Sequence, residues 1–309
     1  MSRCRLCSIL CVLVILSLFV FSSVSGEEPA LFIDLPEGET DILPIDLSSG
    51  YTPDESCYLS GTSYADPSVT VRIEEYEYKK TRCLVAWIKV ADQSQLRTAP
   101  AYDFTRDKVD TPLNMANRMQ AVVAISGDFC SYWSHQQGGY MVRQDTLYLD
   151  QPIKGRDTLL IDDQGNFHIV TDTRDWKIQE VTGAYNIVNS LNFGPGLVVD
   201  GVCLDDEYGA EFNQSFENHQ RAAICQMGEN EYAFAVCEGI WTGESKGLTM
   251  KDWAHFLYDL GFQQAYNLDG GNTTALIFHG EKLNEPGNPH HRQISDIIYI
   301  GSAASQSKE

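Results

Sequence analysis

The chain has 309 residues, 43% of them apolar, nine cysteines and a net charge of −21. That length supports one large domain or two small ones with a substantial core. A surface this acidic repels polyanions, so nucleic acid and anionic membrane are excluded as expected partners.

Arg3 and Arg5 precede an apolar run from Ser8 to Phe21, which is followed by small residues from Ser22 to Gly26. This is the layout of a secretory signal over residues 1–26. The run is shorter than the roughly 20 residues a spanning helix needs. It is therefore expected to be removed, leaving a secreted or extracytoplasmic chain without a membrane span and with a charge of −23. Three cysteines lie in the signal. The other six, Cys57, Cys83, Cys130, Cys203, Cys225 and Cys237, are an even number in an exported protein, which predicts disulfides of unresolved connectivity. No C-x-x-C pair occurs among them, which argues against a zinc site.

Residues 27–56 are rich in acids, Pro, Ser and Gly and predict a leader with little core of its own. Alternation over Val69–Tyr76 and again over Cys83–Val90, around Lys79-Lys80-Thr81, predicts an antiparallel hairpin. Thr111-Pro112 opens a short helix with a capping hydroxyl and a proline at its first position. Ala121–Ile125 reads as a buried strand ending at Ser126-Gly127-Asp128-Phe129. Residues 139–170 read as short strands, with Asp163 to Asn166 turning between two of them; 184–191 is mixed, and Phe193-Gly194-Pro195-Gly196 is a sharp turn into Leu197–Val199. Arg221–Gln226 and Tyr232–Val236 form a second hairpin. Met250–Leu260 is the strongest helix, with Thr249 as cap, Gly261 as stop, and Trp253, Phe256, Leu257 and Leu260 on one face. Ile294–Ile300 is a last strand, and residues 302–309 read as a flexible polar tail. The expected fold class is α+β: a sheet-dominated catalytic domain with few helices over 106–301, preceded by a small β-rich region over 27–105.

Three apolar strands end in an acid beside glycine, at Gly127-Asp128, Glu238-Gly239 and Asp269-Gly270-Gly271. Strand ends present accessible backbone on a rigid scaffold, and three of them suggest a shared cleft. Asn272, Thr273 and Thr274 add donors and acceptors after the last turn. Arg221 and Arg292 head apolar strands in a stretch otherwise poor in cations, and each reads either as a structural ion-pair partner or as a fork for an anionic ligand. His219, His290 and His291 lie near these arginines but read more simply as exposed loop residues. Tyr132, Trp133 and His135 read equally as a sugar-stacking platform or as a surface loop. Asn213 and Asn272 begin glycosylation-acceptor patterns, the second discounted because it falls inside the expected site.

In order, Ala124 to Phe129, Phe193 to Val198, Arg221 to Ile224, Glu238-Gly239, Gly247-Leu248-Thr249, Asn267 to Gly271 and Arg292 resemble the phosphodiester glycosidase domain over residues 111–300. The chain departs from that pattern with Ser126 for an Asn, with Glu238-Gly239-Ile240 for Asp-Gly-Arg, and with Asn272-Thr273-Thr274 for a third Gly followed by Ser. The resemblance implies hydrolysis between a sugar's anomeric carbon and a phosphate-linked oxygen. It implies Asp269, Glu238 and Asp128 as catalytic acids, Arg221 and Arg292 on phosphate, and Gly270, Gly271, Asn272, Thr273 and Thr274 positioning oxygens. The expected partner is a small molecule or glycan carrying a sugar-phosphate linkage. No cofactor is needed, the alternative being a calcium ion on Asp269 and Asp128. A non-catalytic sugar-phosphate-binding protein of the same fold is the competing expectation.

Overall fold

The computed structural model describes residues 31–104, 108–131, 137–171, 175–205, 216–239, 244–285 and 292–305. The expected signal over 1–26, Tyr132, Trp133, His135, Asn213, Ile240, His290 and His291 lie outside the described residues.

The chain is sheet-dominated, as its alternation predicts. A nine-stranded antiparallel sheet runs in spatial order Tyr58–Ser60, Ser63–Ala65, Val69–Tyr78, Thr81–Val90, Glu231–Cys237, Arg221–Gly228, Gln264–Leu268, Gly196–Val199 and Val202–Cys203. A five-stranded antiparallel sheet runs Glu281–Lys282, Leu276–Phe278, Ala121–Ser126, Asp296–Gly301 and Leu96–Pro100. A three-stranded sheet (Phe167–Val170, Thr158–Asp162, Ile187–Leu191) and the ribbon Gly139–Arg143 with Thr146–Gln151 complete the β-structure.

Strand alternation assigns the faces. Leu84, Ala86 and Ile88 of the nine-stranded sheet meet Val123, Ile125, Leu276 and Ile298 of the five-stranded sheet and Leu159 and Ile161 of the three-stranded one in a common core. Their sequence neighbours Cys83, Val85 and Trp87 turn outward under the helix Met250–Asp259, against Trp253, Phe256 and Leu257. On the outer face of the five-stranded sheet, Ala124, Ile277 and Tyr299 pack under the helix Pro112–Arg118 through Met115 and Ala116. Strands covered on both faces carry almost no polar residue mid-span, and each fully buried large apolar side chain contributes about 1.5–3 kcal/mol.

Local chemistry sets the element ends. Lys79 and Lys80 both take positive φ, the conformation of a two-residue hairpin loop whose twist matches its strands. Thr111 and Thr249 accept from the amides of Asn114 and Asp252 and so cap their helices.

Four findings differ from the sequence reading. The hairpin Val69–Val90 is no peripheral unit: Thr81–Val90 pairs along its length with Glu231–Cys237, so one sheet crosses the boundary expected at residue 105. Residues 31–309 fall in one compact unit. A helix, Asp175–Ala184, fills a stretch where none was predicted. Ser302 and Ala303, placed in a flexible tail, are buried and bonded to Tyr51, Asp66 and Ser68. The expected disulfides are absent, because all six cysteines are free thiols. Cys83 and Cys237 stand opposite one another on adjacent strands, Cys225 and Cys203 share their cluster under the helix Met250–Asp259, and Cys57 lies against the core between the sheets.

Candidate active site

The segment Gln264 to Phe278 leaves one sheet and enters the other. Gln264–Leu268 pairs within the nine-stranded sheet, Gly271–Thr273 makes one 3-10 turn, and Leu276–Phe278 pairs within the five-stranded sheet. The polar residues between the two strands therefore stand at the rim of the sandwich, where the Gly271 amide donates to the Gln220 carbonyl at the head of the strand Arg221–Gly228. A side chain at Gly270 would put its Cβ 2.6 Å from the Gln220 carbonyl oxygen, and Gly271 turns with φ +63.

Asp269 is the acid at this crossing. It is 8% exposed, and burial lifts its pKa to about 7. Arg292 and a hydrogen bond from Thr273 pull it down, while the Asp128 charge pushes it up. Arg292 Nη1 lies 3.5 Å from Asp269 Oδ2. The Arg292 guanidinium also donates to the Cys130 carbonyl and lies over the Phe129 ring, 5.6 Å from its centroid. Its backbone amide donates to the Asn272 carbonyl, which ties the arginine to the turn it serves.

Asp128 is near enough to influence Asp269, yet its own oxygens are taken up by N–H donors. They accept from the amides of Phe129 (2.9 Å) and Asn192 (2.8 Å), from Asn192 Nδ2, and from Arg143 Nη2. Arg143, fully buried, also binds Asp296 Oδ2 through Nε at 3.2 Å and Nη2 at 3.1 Å. Asp296 in turn accepts from the Asp128 amide at 3.0 Å. Burial pushes the Asp296 carboxyl up, and Arg143 opposes this. Gly127 is forced in this junction, because a Cβ there would meet Asp296 Oδ1 at 2.4 Å. The Asp128–Arg143–Asp296 network thus stitches the five-stranded sheet to the ribbon and holds Asp128 in place.

The remaining predicted residues divide. Thr273 donates its hydroxyl to the Gly270 carbonyl at 2.8 Å and lies beside Asp269. Thr274 is buried, with its hydroxyl unpartnered. Asn272 presents its side chain to a cavity beside Arg292. Arg221 directs Nε to the Leu248 carbonyl (3.0 Å) and Nη2 to that of Glu217 (2.9 Å). Glu238 accepts from Arg82 Nη1 and from the Glu285 amide, at 2.8 and 2.9 Å, in a separate cavity of about 630 Å³. Asp269, Arg292, Asp128 and Thr273 are therefore brought together, while Glu238 lies in different surroundings. His219 is bonded to the exposed Glu217.

Two cavities are lined by residues that neighbour Asp269 and Arg292. One, of about 330 Å³, is lined by Asp128, Phe129, Gln137, Arg156 and Asn192 among others. The other, of about 190 Å³, includes Leu113, Thr273, Ile277, Lys282 and Arg292 in its walls. Arg156 and Arg292 both lie against Phe129, at 5.9 and 5.6 Å. Sequence reasoning missed Arg143, Arg156, Asn192, Lys282 and Asp296. The one available signal was a lone charge at the end of an apolar strand, as in Val142-Arg143 and Asp296-Ile297.

For a cation the fit is poor, since Asp128 already accepts from N–H donors and a guanidinium stands at Asp269. Among the described residues, a cluster of three metal-type donors occurs elsewhere, at Cys203, Asp205 and His255, within 4.8 Å of one another. Lys251 Nζ is 2.9 Å from that aspartate.

Asp269, Asp128 and Arg292 thus gather at the rim of two antiparallel sheets, beside cavities of about 190 and 330 Å³. Residues 119–301 match the phosphodiester glycosidase family model, and the chain belongs to that family. Among solved structures it is similar to the zebrafish N-acetylglucosamine-1-phosphodiester α-N-acetylglucosaminidase catalytic domain auto-inhibited by its pro-peptide, with a TM-score of 0.62 and 15% identity over 83% of this chain and 87% of that one. A hypothetical protein from Synechocystis matches with a TM-score of 0.54 and 13% identity, over 78% and 64% of the two chains. The SPbeta prophage-derived uncharacterized protein YomE of Bacillus subtilis (strain 168) is 25% identical over 260 residues. That match takes in 79% of this chain but 38% of the relative's length.

Proposed function

We propose that the chain hydrolyses the glycosidic bond of a sugar-1-phosphodiester, releasing free sugar and a phosphomonoester. The observation that carries this is Asp269: a buried carboxyl poised near neutrality, 3.5 Å from the guanidinium of Arg292, which lines a neighbouring cavity. The family is one of phosphodiester glycosidases, and the zebrafish protein is named for cleaving an N-acetylglucosamine-1-phosphodiester.

A phosphate monoester leaves readily, so the reaction needs a cation on the departing oxygens more than an acid to protonate them. In the proposed step a water oxygen attacks the anomeric carbon as the bond from that carbon to the phosphate-linked oxygen breaks. The electron pair goes to the phosphate, which Arg292 holds. The water's proton passes to the Asp269 carboxylate and then to solvent. A base of pKa near 7 is matched to neutral pH, and general-base assistance supplies typically 10²–10⁴-fold. Asp128 acts through position and charge. The amino-terminal signal motivates an extracytoplasmic site of action, and no helix among the described residues is long and apolar enough to cross a membrane.

The test is incubation with a panel of sugar-1-phosphodiesters, measuring freed sugar and freed phosphomonoester. Release that Asp269→Asn and Arg292→Met each reduce at least a hundredfold supports the assignment. Unchanged turnover in both variants overturns it, and saturable binding without release identifies a binding protein instead.

A further inference from the structure

Three cavities lie near the strand-end acids, and their walls differ in kind. The one at Glu238 carries Glu75, Glu77, Glu244 and Glu285 against Lys80 and Arg82, a net negative lining that disfavours an anion. The one at Asp128 offers amides, a hydroxyl and Arg156. The third, of about 190 Å³, is walled by Pro112, Leu113, Ala275 and Ile277, with Arg292 and Lys282 as its charged members. Two of its residues, Arg292 and Thr273, are the ones that hold Asp269, so this space adjoins the reacting carboxyl.

We propose that this third cavity is the subsite for the alcohol side of the phosphodiester, and that it takes a hydrocarbon group carried on the phosphate. This rests on the hydrolase reading given above. An apolar cavity of about 150 Å³ accommodates benzene, so this one has room for about six to eight carbons. Arg292 at the mouth places the phosphate, and the ester's carbon chain then runs past Asn272 and Thr273 onto Leu113 and Ile277. Lys282, whose burial lowers its pKa to about 8 against the opposing charges of Glu285 and Glu238, is the second cation in the same walls. Cations bordering an apolar space match a ligand that is anionic at one end and apolar at the other. A polar alcohol such as a second sugar would leave its hydroxyls unpaired against Pro112, Ala275 and Ile277, which disfavours it.

The experiment has two arms on the full chain. In the first, calorimetry measures binding of ethyl, butyl, hexyl and dodecyl phosphate, the products such esters would release. Each methylene buried is worth about fourfold in affinity, so hexyl phosphate binds at least tenfold tighter than ethyl phosphate, and the gain stops once the cavity is full. In the second, kcat/KM is measured for methyl, butyl and hexyl esters of a sugar-1-phosphate. It rises with chain length in the same way. Leu113→Trp fills the cavity and abolishes the chain-length dependence in both arms. Should that variant fail to fold, the two series on the unmodified chain decide alone. Equal affinities for all alkyl phosphates, with methyl ester hydrolysed, overturn the subsite and leave the hydrolase reading standing. Chain-length-dependent binding without hydrolysis of any ester supports the cavity assignment and sinks the hydrolase reading. Flat binding without hydrolysis overturns both.

Discussion

Replacing Asp269 by asparagine keeps the shape of the side chain and removes its titration. In the folded chain burial holds this carboxyl at about 7, against an ordinary value of 3.8. A folded-state pKa raised above the unfolded one means that folding favours the protonated form. The resulting stability is fully present below pH 3.8 and is lost as pH rises through 7. At 1.36 kcal/mol per unit the whole span is about 4 kcal/mol, of which about 3 falls between pH 4.5 and pH 8. Urea unfolding of both proteins at those two pH values gives the number directly, because every other titrating group is common to the pair and cancels. The unmodified chain should lose about 3 kcal/mol relative to Asp269→Asn on going to pH 8. If the two stabilities instead ran parallel within 1 kcal/mol, the carboxyl would have an ordinary pKa and the desolvation argument would be wrong. The kinetic counterpart is a rate that rises through pH 7 as the base ionises.

Arg143→Met leaves Asp128 and Asp296 buried without their shared cation and should destabilise the chain by about 3–5 kcal/mol in the same urea assay; a loss below 1 kcal/mol would show that the network is not what anchors Asp128. Glu238→Gln should keep turnover within about threefold while Asp269→Asn loses about a hundredfold or more, since Glu238 is held by Arg82 and the Glu285 amide in another cavity; equal losses would return Glu238 to the site. Gly127→Ala drives a methyl into Asp296 and should cost about 1–3 kcal/mol, read as a lowered urea midpoint.

Much of the scaffold was legible because it rests on local rules. Covered strands such as Arg221–Gly228 announce themselves by alternating Ala223 and Cys225 under a helix with Ala222 and Ile224 over the core. Thr249 and Gly261 mark the ends of the one strongly amphipathic helix. The helix Asp175–Ala184 escaped because its apolar positions are few and Thr182 and Gly183 weaken its end. The site was legible in its residue types and not in its pairings. Arg143 meets Asp296 across 153 positions of sequence, a contact decided by how the ribbon packs on the sheets. Arg221 was recognisable as an arginine heading an apolar strand, but strand period alone could not say that its guanidinium would run to the Leu248 and Glu217 carbonyls. Lys282 read as one cation among few. Only the folding of its two-residue strand beside Ile277 brings it to the wall that Arg292 shares.

The chain's passage from one sheet to the other explains why the chemistry sits where it does. A strand that ended in solvent after Leu268 would leave the next acid hydrated and ionised. Here Leu276–Phe278 must join the opposite sheet after a short turn, so Asp269 is drawn into the rim of the sandwich and loses its water. Desolvation of this kind raises a carboxyl pKa, and by itself it would hold Asp269 protonated and useless as a base at neutral pH. Arg292 enters from the segment just before the strand Asp296–Gly301 of the same sheet and, with hydrogen bonds from Thr273 and Gly270, holds the value at about 7. Sheet closure supplies the rise and the arginine sets where it stops. In the reaction proposed above, the guanidinium that tunes the acid is also the group that receives the phosphate.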